Sequence, residues 1–193
     1  DSVAQGIAGR AGAAQALCDM LRGAYTSGSM RRVACLALAR LCGGHGNQVL
    51  GLQAGAIVSL MAMLGEEQEQ DWFCATDALV SLTANDENKR AVGTVGLVVT
   101  LVRRMTPGTP LPIQVRVLAT LIQVTSVDAN LDAAVSAGVL PQLVAVSHEA
   151  HPLVQQYVAV ALQTLCAIRH IPLFVRSGIV EYVFGLLRDA SGE

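Results

Sequence analysis

The amino-acid sequence predicts an all-α solenoid of three-helix repeats. First, 52% of the 193 residues are hydrophobic while only 4% are aromatic, so the core is built from Ala, Val and Leu. Second, a glycine-led phrase returns five times: Gly12 before AAQALCDML, Gly55 before AIVSLMAML, Gly96 before LVVTLVRRM, Gly138 before VLPQLVAVS and Gly178 before IVEYVFGLL. These glycines are 43, 41, 42 and 40 residues apart, a period typical of stacked helical units. Third, the stretches between them carry small or apolar residues at i, i+3, i+4 and i+7, the stripe of a helix with one buried face.

The elements follow in order within each unit. Eight residues before four of the glycines stands Asn47, Asn88, Asn130 or His170, each suited to cap or turn the start of a short first helix. The glycine then lets a second helix leave at a sharp angle, because without a Cβ it reaches backbone conformations closed to other residues. A polar loop such as GEEQEQ (65–70) or TPGTPLP (106–112) leads into a longer third helix, marked by Ala34-CLALARL, Ala75-TDALVSL, Val117-LATLIQV and Val158-AVALQTL. The units are 1–44, 45–86, 87–128 and 129–168, with a partial unit 169–193 that lacks its third helix. In a solenoid every helix is covered by neighbours on both sides, which accounts for a mean hydropathy of +0.48. The stretch 152–168 is uncharged and long, but its glutamines and its register make it a buried third helix rather than a membrane span.

With these landmarks the sequence resembles the armadillo repeat family. Its pattern is an Asn, eight residues, a Gly, Ile-x-x-Leu-x-x-Leu-Leu and a long Ala- and Leu-bearing helix. In the second unit the match is carried by Asn47, Gly55, Ile57, Leu60, Met63, Leu64, Ala75, Ala78, Leu79 and Leu82. In the third it is carried by Asn88, Gly96, Val98, Leu101, Val117, Leu121 and Val124. The resemblance implies a right-handed α-solenoid that binds other proteins; HEAT repeats are the runner-up.

Several chemistries find no support. Net charge is −2, and the doublets Arg31/Arg32 and Arg103/Arg104 are too sparse for a phosphate-tracking stripe, so nucleic acid is not an expected partner. His148, Glu149 and His151 fall in a turn before a third helix, and Cys18, Cys35 and Cys42 read as small packing residues; no metal and no cofactor is expected. The glycine-rich CGGHGN (42–47) follows a helix, not a strand, and lacks the lysine of a P-loop. No catalytic set is implied, and the chain reads as non-enzymatic. Five cysteines without a disulfide framework suggest a cytoplasmic or other reducing compartment. The start DSVAQG and the apolar Val3, Ile7, Tyr182, Phe184 and Leu187 near the ends suggest a piece of a longer array, or ends that associate with one another.

Family resemblance places the binding residues on the third helices. The positions usually held by Asn are Arg40, Ser81, Gln123 and Thr164, and four residues earlier stand Leu36, Asp77, Ala119 and Val160, where nuclear-import receptors carry Trp. Neither array for clamping a basic peptide is present. The expected groove combines Leu36, Phe73, Ala119, Val160 and Tyr157 with Arg32, Arg40, Arg116, Gln123 and Gln156, interrupted by Asp77. That mixture suits a partner's amphipathic helix or apolar peptide motif. Arg32, Arg40 and Arg116 are expected to be solvated cations whose reversal to Glu hardly affects folding. Trp72 is expected to cover the start of its helix.

Overall fold

The computed structural model describes residues 6–9, 12–65, 68–94, 96–148, 151–165, 171–176 and 179–181. Val3, Glu149, Cys166, His170, Gly178, Tyr182, Phe184 and Leu187 lie outside the described residues. Between helical segments at 6–9 and 179–181, the described residues form twelve helices: α1 (Ala13–Arg22), α2 (Gly28–Leu41), α3 (His45–Gln53), α4 (Ala56–Leu64), α5 (Glu69–Leu82), α6 (Asp86–Thr94), α7 (Leu97–Arg104), α8 (Leu111–Val124), α9 (Asp128–Ser136), α10 (Val139–Ser147), α11 (Pro152–Leu165) and α12 (Ile171–Arg176). No strand occurs among the described residues, and none of their helices is singly long and apolar enough to cross a membrane.

The long third helices α2, α5, α8 and α11 stack one against the next and form one layer of the solenoid. Their apolar stripes face inward: Ala34, Cys35 and Leu38, then Ala75, Ala78 and Leu79, then Val117, Leu118 and Leu121, then Val158, Ala161 and Leu165, all at 1% exposure or less. Burying a Val or Leu side chain contributes about 1.5–3 kcal/mol, so this stripe, repeated on each unit, is the main stabilising term. Alanines recur within it because they let neighbouring helices approach closely. Prolines mark the starts, with Pro112 in the first turn of α8 and Pro152 opening α11, where a missing N–H costs no helical bond.

The repeated glycine works as the sequence suggests. Gly12, Gly55, Gly96 and Gly138 have φ of 85, 76, 76 and 82°, the left-handed region, and each immediately precedes a second helix. Across this residue α3 and α4 meet at 75°, and α9 and α10 at 71°. At Gly96 an added Cβ would meet nothing within 4 Å, so Gly96→Ala isolates the backbone term. The substitution should lower unfolding free energy by about 1–2 kcal/mol, measured in a urea titration, with the helical spectrum unchanged.

The asparagines do something other than cap. Asn47, Asn88 and Asn130 lie inside the first turn of their helices, and their Nδ2 groups reach backwards to the carbonyls of Leu41, Leu82 and Val124 at 2.9, 2.7 and 2.9 Å. Those carbonyls belong to the last turn of the preceding third helix, where a helix leaves its C=O groups without internal partners. The same Nδ2 of Asn88 donates to the Gln48 carbonyl at 2.9 Å, and that of Asn130 to the Lys89 carbonyl at 2.6 Å, one repeat earlier. Asn88 and Asn130 are thus rungs between units. Capping of α6 falls instead to Asn85, whose side chain accepts the Asn88 amide at 2.8 Å while its own Nδ2 donates to Gln48 Oε1 at 3.0 Å.

Candidate interaction face

The outer surface of α2, α5, α8 and α11 carries every groove position expected from the sequence. One residue per helix, Arg40, Ser81, Gln123 and Thr164, recurs near the helix C-termini. Thr164 donates its hydroxyl to the Val160 carbonyl at 2.9 Å, Ser81 donates to that of Asp77 at 3.5 Å, and Gln123 accepts from Thr83 across the unit boundary at 3.5 Å. Leu36 and Val160 remain 38% and 46% exposed, so neither serves merely as packing between repeats.

The arginines depart from expectation. Arg32 Nη1 donates to Asp71 Oδ1 at 3.1 Å, and Asp71 is buried, with only 4% of its side chain exposed. Arg116 Nε donates to Asp77 Oδ1 at 3.0 Å, and its guanidinium lies 4.1 Å from the centre of the Phe73 ring. Both pairs join adjacent third helices and span 39 residues in sequence. Neither Arg32 nor Arg116 is a free cation, because α5 brings one carboxylate opposite the arginine of α2 and another opposite that of α8, leaving each guanidinium only partly solvated. Reversing Arg32 would therefore set a second carboxylate against a buried one. Arg40 is exposed. Phe73 supports Arg116 rather than forming an open floor, and Trp72 lies beneath Arg104, 4.2 Å from its guanidinium, bridging α5 to the end of α7. The pairings could have been read from the sequence as opposite charges one repeat apart, offset by about a turn.

Between α8 and α11 the face opens into an apolar pocket of about 330 Å³ lined by Ala119, Ile122, Gln156, Tyr157 and Val160. Four of these were expected in the groove. Ile122 was missed, because its spacing assigns it equally to the buried stripe. Leu36, Arg40, Ser81, Gln123 and Thr164 lie outside this pocket.

Chemistry elsewhere is structural. Cys18, Cys35, Cys42 and Cys74 are buried free thiols. Burial, with a smaller contribution from neighbouring Cys18, pushes the Cys42 thiol up to about 12 from an ordinary 9.0, and burial raises Cys35 strongly as well. A thiol that stays protonated in the folded state and ionises in the unfolded one adds stability below pH 9 that is lost between pH 9 and 12. Two results should follow: a disulfide reagent at pH 8 labels none of these four cysteines until denaturant is added, and stability declines as pH is raised above 9. No group of three or more His, Cys, Asp or Glu among the described residues is arranged to hold a metal. His151 instead accepts the Leu153 amide on Nδ1 at 3.2 Å and so caps α11.

No family model matches the sequence, and no curated protein matches it. Solved structures do. The chain is similar to an engineered structural-genomics protein at a TM-score of 0.88 and 26% identity, over 97% of this chain and 76% of that one. It is similar to a designed armadillo repeat protein at a TM-score of 0.81 and 20% identity, over 90% and 74% of the two chains. A further likeness, with a TM-score of 0.76 and 20% identity over 83% and 67%, is to a designed armadillo repeat protein in complex with the peptide (KR)4. The chain has the fold of a repeat solenoid, all-α and built from three-helix units. Its repeats fold as those of the designed armadillo proteins do, with a left-handed glycine, Gly12, Gly55, Gly96 or Gly138, before the second helix of each of the four described units.

Proposed function

We propose that the chain is a non-enzymatic interaction scaffold that receives a peptide or helix of a partner protein on its third-helix face. One observation carries the reading: this face keeps apolar side chains in the open, Leu36 on α2 and Val160 on α11, the latter lining an apolar pocket. Support comes from the fold, which is that of a designed protein holding a peptide. The buried unpaired thiols suit a reducing compartment such as the cytoplasm. Nucleic acid, membrane insertion and a cofactor form no part of the proposal.

Affinity capture with the whole chain as bait tests it. Leu36→Arg combined with Val160→Arg should leave melting unchanged and weaken partner binding about thirtyfold, the effect of losing about 2 kcal/mol at an interface centre. Val58→Arg alters an exposed residue on α4, outside the third-helix face, and should retain every partner. The opposite pattern would overturn the reading.

A second reading has its own observation. Met30 and Val33 on α2 are 50% and 65% exposed, whereas their counterparts one repeat on, Asp71 and Cys74, are buried. Self-association through this end follows if light scattering shows a concentration-dependent increase in mass that Val33→Asp abolishes.

A further inference from the structure

From the charges on the third-helix face we infer which peptides this chain accepts: a segment that presents one large aliphatic or aromatic side chain to the pocket between α8 and α11, with no lysine or arginine beside it. This rests on the scaffold reading above and narrows it to a class of partner.

A basic peptide needs carboxylates to receive it; apart from Glu69, exposed in the first turn of α5 and on neither helix that forms the pocket, the described third helices carry only Asp71 and Asp77. Both are committed, Asp71 to Arg32 at 3.1 Å and Asp77 to Arg116 at 3.0 Å. Arg116 is held a second time, by its contact with Phe73 at 4.1 Å. An incoming cation would have to displace an arginine already bonded and stacked, or sit beside a guanidinium; like charges at such distances disfavour binding. Asp71 is moreover buried and has no room for a second cation.

The pocket points the same way. Ala119, Ile122, Gln156, Tyr157 and Val160 include no charged residue, so a charge placed there would lose hydration without gaining a partner. An apolar side chain loses nothing by entering, and its burial is favourable in proportion to the area covered. About 330 Å³ is the scale of a small ligand site and accepts a single large side chain. Gln156 at the edge can both donate to and accept from a peptide backbone, which fixes the segment's position without selecting its charge. A pocket lined by no charged residue, next to an Asp77 already paired with Arg116, is complementary to a neutral, apolar anchor.

The test is selection from a displayed random dodecapeptide library against the whole chain, followed by fluorescence anisotropy on the selected peptides and on (KR)4. The selected peptides should be enriched in Leu, Ile, Phe, Tyr or Trp and depleted in Lys and Arg relative to the starting library. They should bind at least tenfold more tightly than (KR)4. Val160→Arg, which adds a charge at a position already 46% exposed, should weaken them at least tenfold, while Val58→Arg leaves them unchanged. Circular dichroism on both variants verifies that folding is intact, and Tyr157→Ala gives a second pocket variant without added charge. Enrichment of Lys and Arg, binding of (KR)4 equal to the selected peptides, or indifference to both Val160→Arg and Tyr157→Ala would overturn the inference while leaving a peptide scaffold in place. Absence of any enriched peptide would overturn the scaffold reading together with the inference.

Discussion

Arg32→Glu should destabilise the chain by about 3 kcal/mol, the low end of what breaking a buried ion pair costs, because Arg32 itself is partly solvated. The new carboxylate would face Asp71, whose side chain is only 4% exposed, so neither charge could be hydrated fully or neutralised by a neighbour. At roughly 2–4 °C per kcal/mol for a chain of this size, the melting temperature should fall by about 6–12 °C. Arg103→Glu, on an exposed residue of α7, should stay within about 0.5 kcal/mol. Replacing both partners, Arg32→Met with Asp71→Leu, should recover most of the loss, since apolar residues of similar volume remove the desolvation cost along with the attraction. If Arg32→Glu melts like the parent, the pairing of α2 with α5 is wrong.

Asn88→Ala should cost about 3 kcal/mol. Its amide is fully buried and serves two carbonyls, Leu82 at 2.7 Å and Gln48 at 2.9 Å. Losing the donor leaves both acceptors dry, and each such unsatisfied group costs about 1–3 kcal/mol. Asn88→Asp should be worse at neutral pH, because a carboxylate would point its negative oxygens at two carbonyl oxygens. A protonated Asp can donate, so its folded pKa would be raised above the ordinary value of about 3.9. The Asp variant should therefore gain stability as pH falls toward 4 and lose it as pH rises, the reverse of ordinary acid denaturation. Chemical denaturation across pH 4–7 checks the sign.

The helices were legible because each is written in a local code. A stripe with period 3.6 fixes which face is buried, and a glycine at constant spacing marks where the backbone must turn left-handed, as Gly55 and Gly138 do. What one side chain does to another repeat is not local. Asn88 was placed at the right position but given the wrong task, since its use depends on which carbonyls α5 leaves open, and those lie beside it only once the units stack. Arg32 and Arg116 were assigned correctly to the third-helix face, yet their partners stand 39 residues away in sequence. A search for opposite charges at one repeat length, shortened by about a turn, would have found both pairs. Ile122 failed for a different reason: on a helix covered from several sides, the boundary between core and face falls within a single step of rotation.

Trp72 is the only tryptophan in the chain, and it sits under Arg104 where the second unit meets the third. Its emission therefore reports on one junction of the array, whereas far-ultraviolet ellipticity reports on all helices together. A guanidinium resting on the indole face also makes the emission sensitive to that single contact. If the array melts as one body, fluorescence and ellipticity trace the same curve. If the terminal units fray first, ellipticity declines while the indole signal holds, and the interval between the two curves measures how far cooperativity extends along the solenoid.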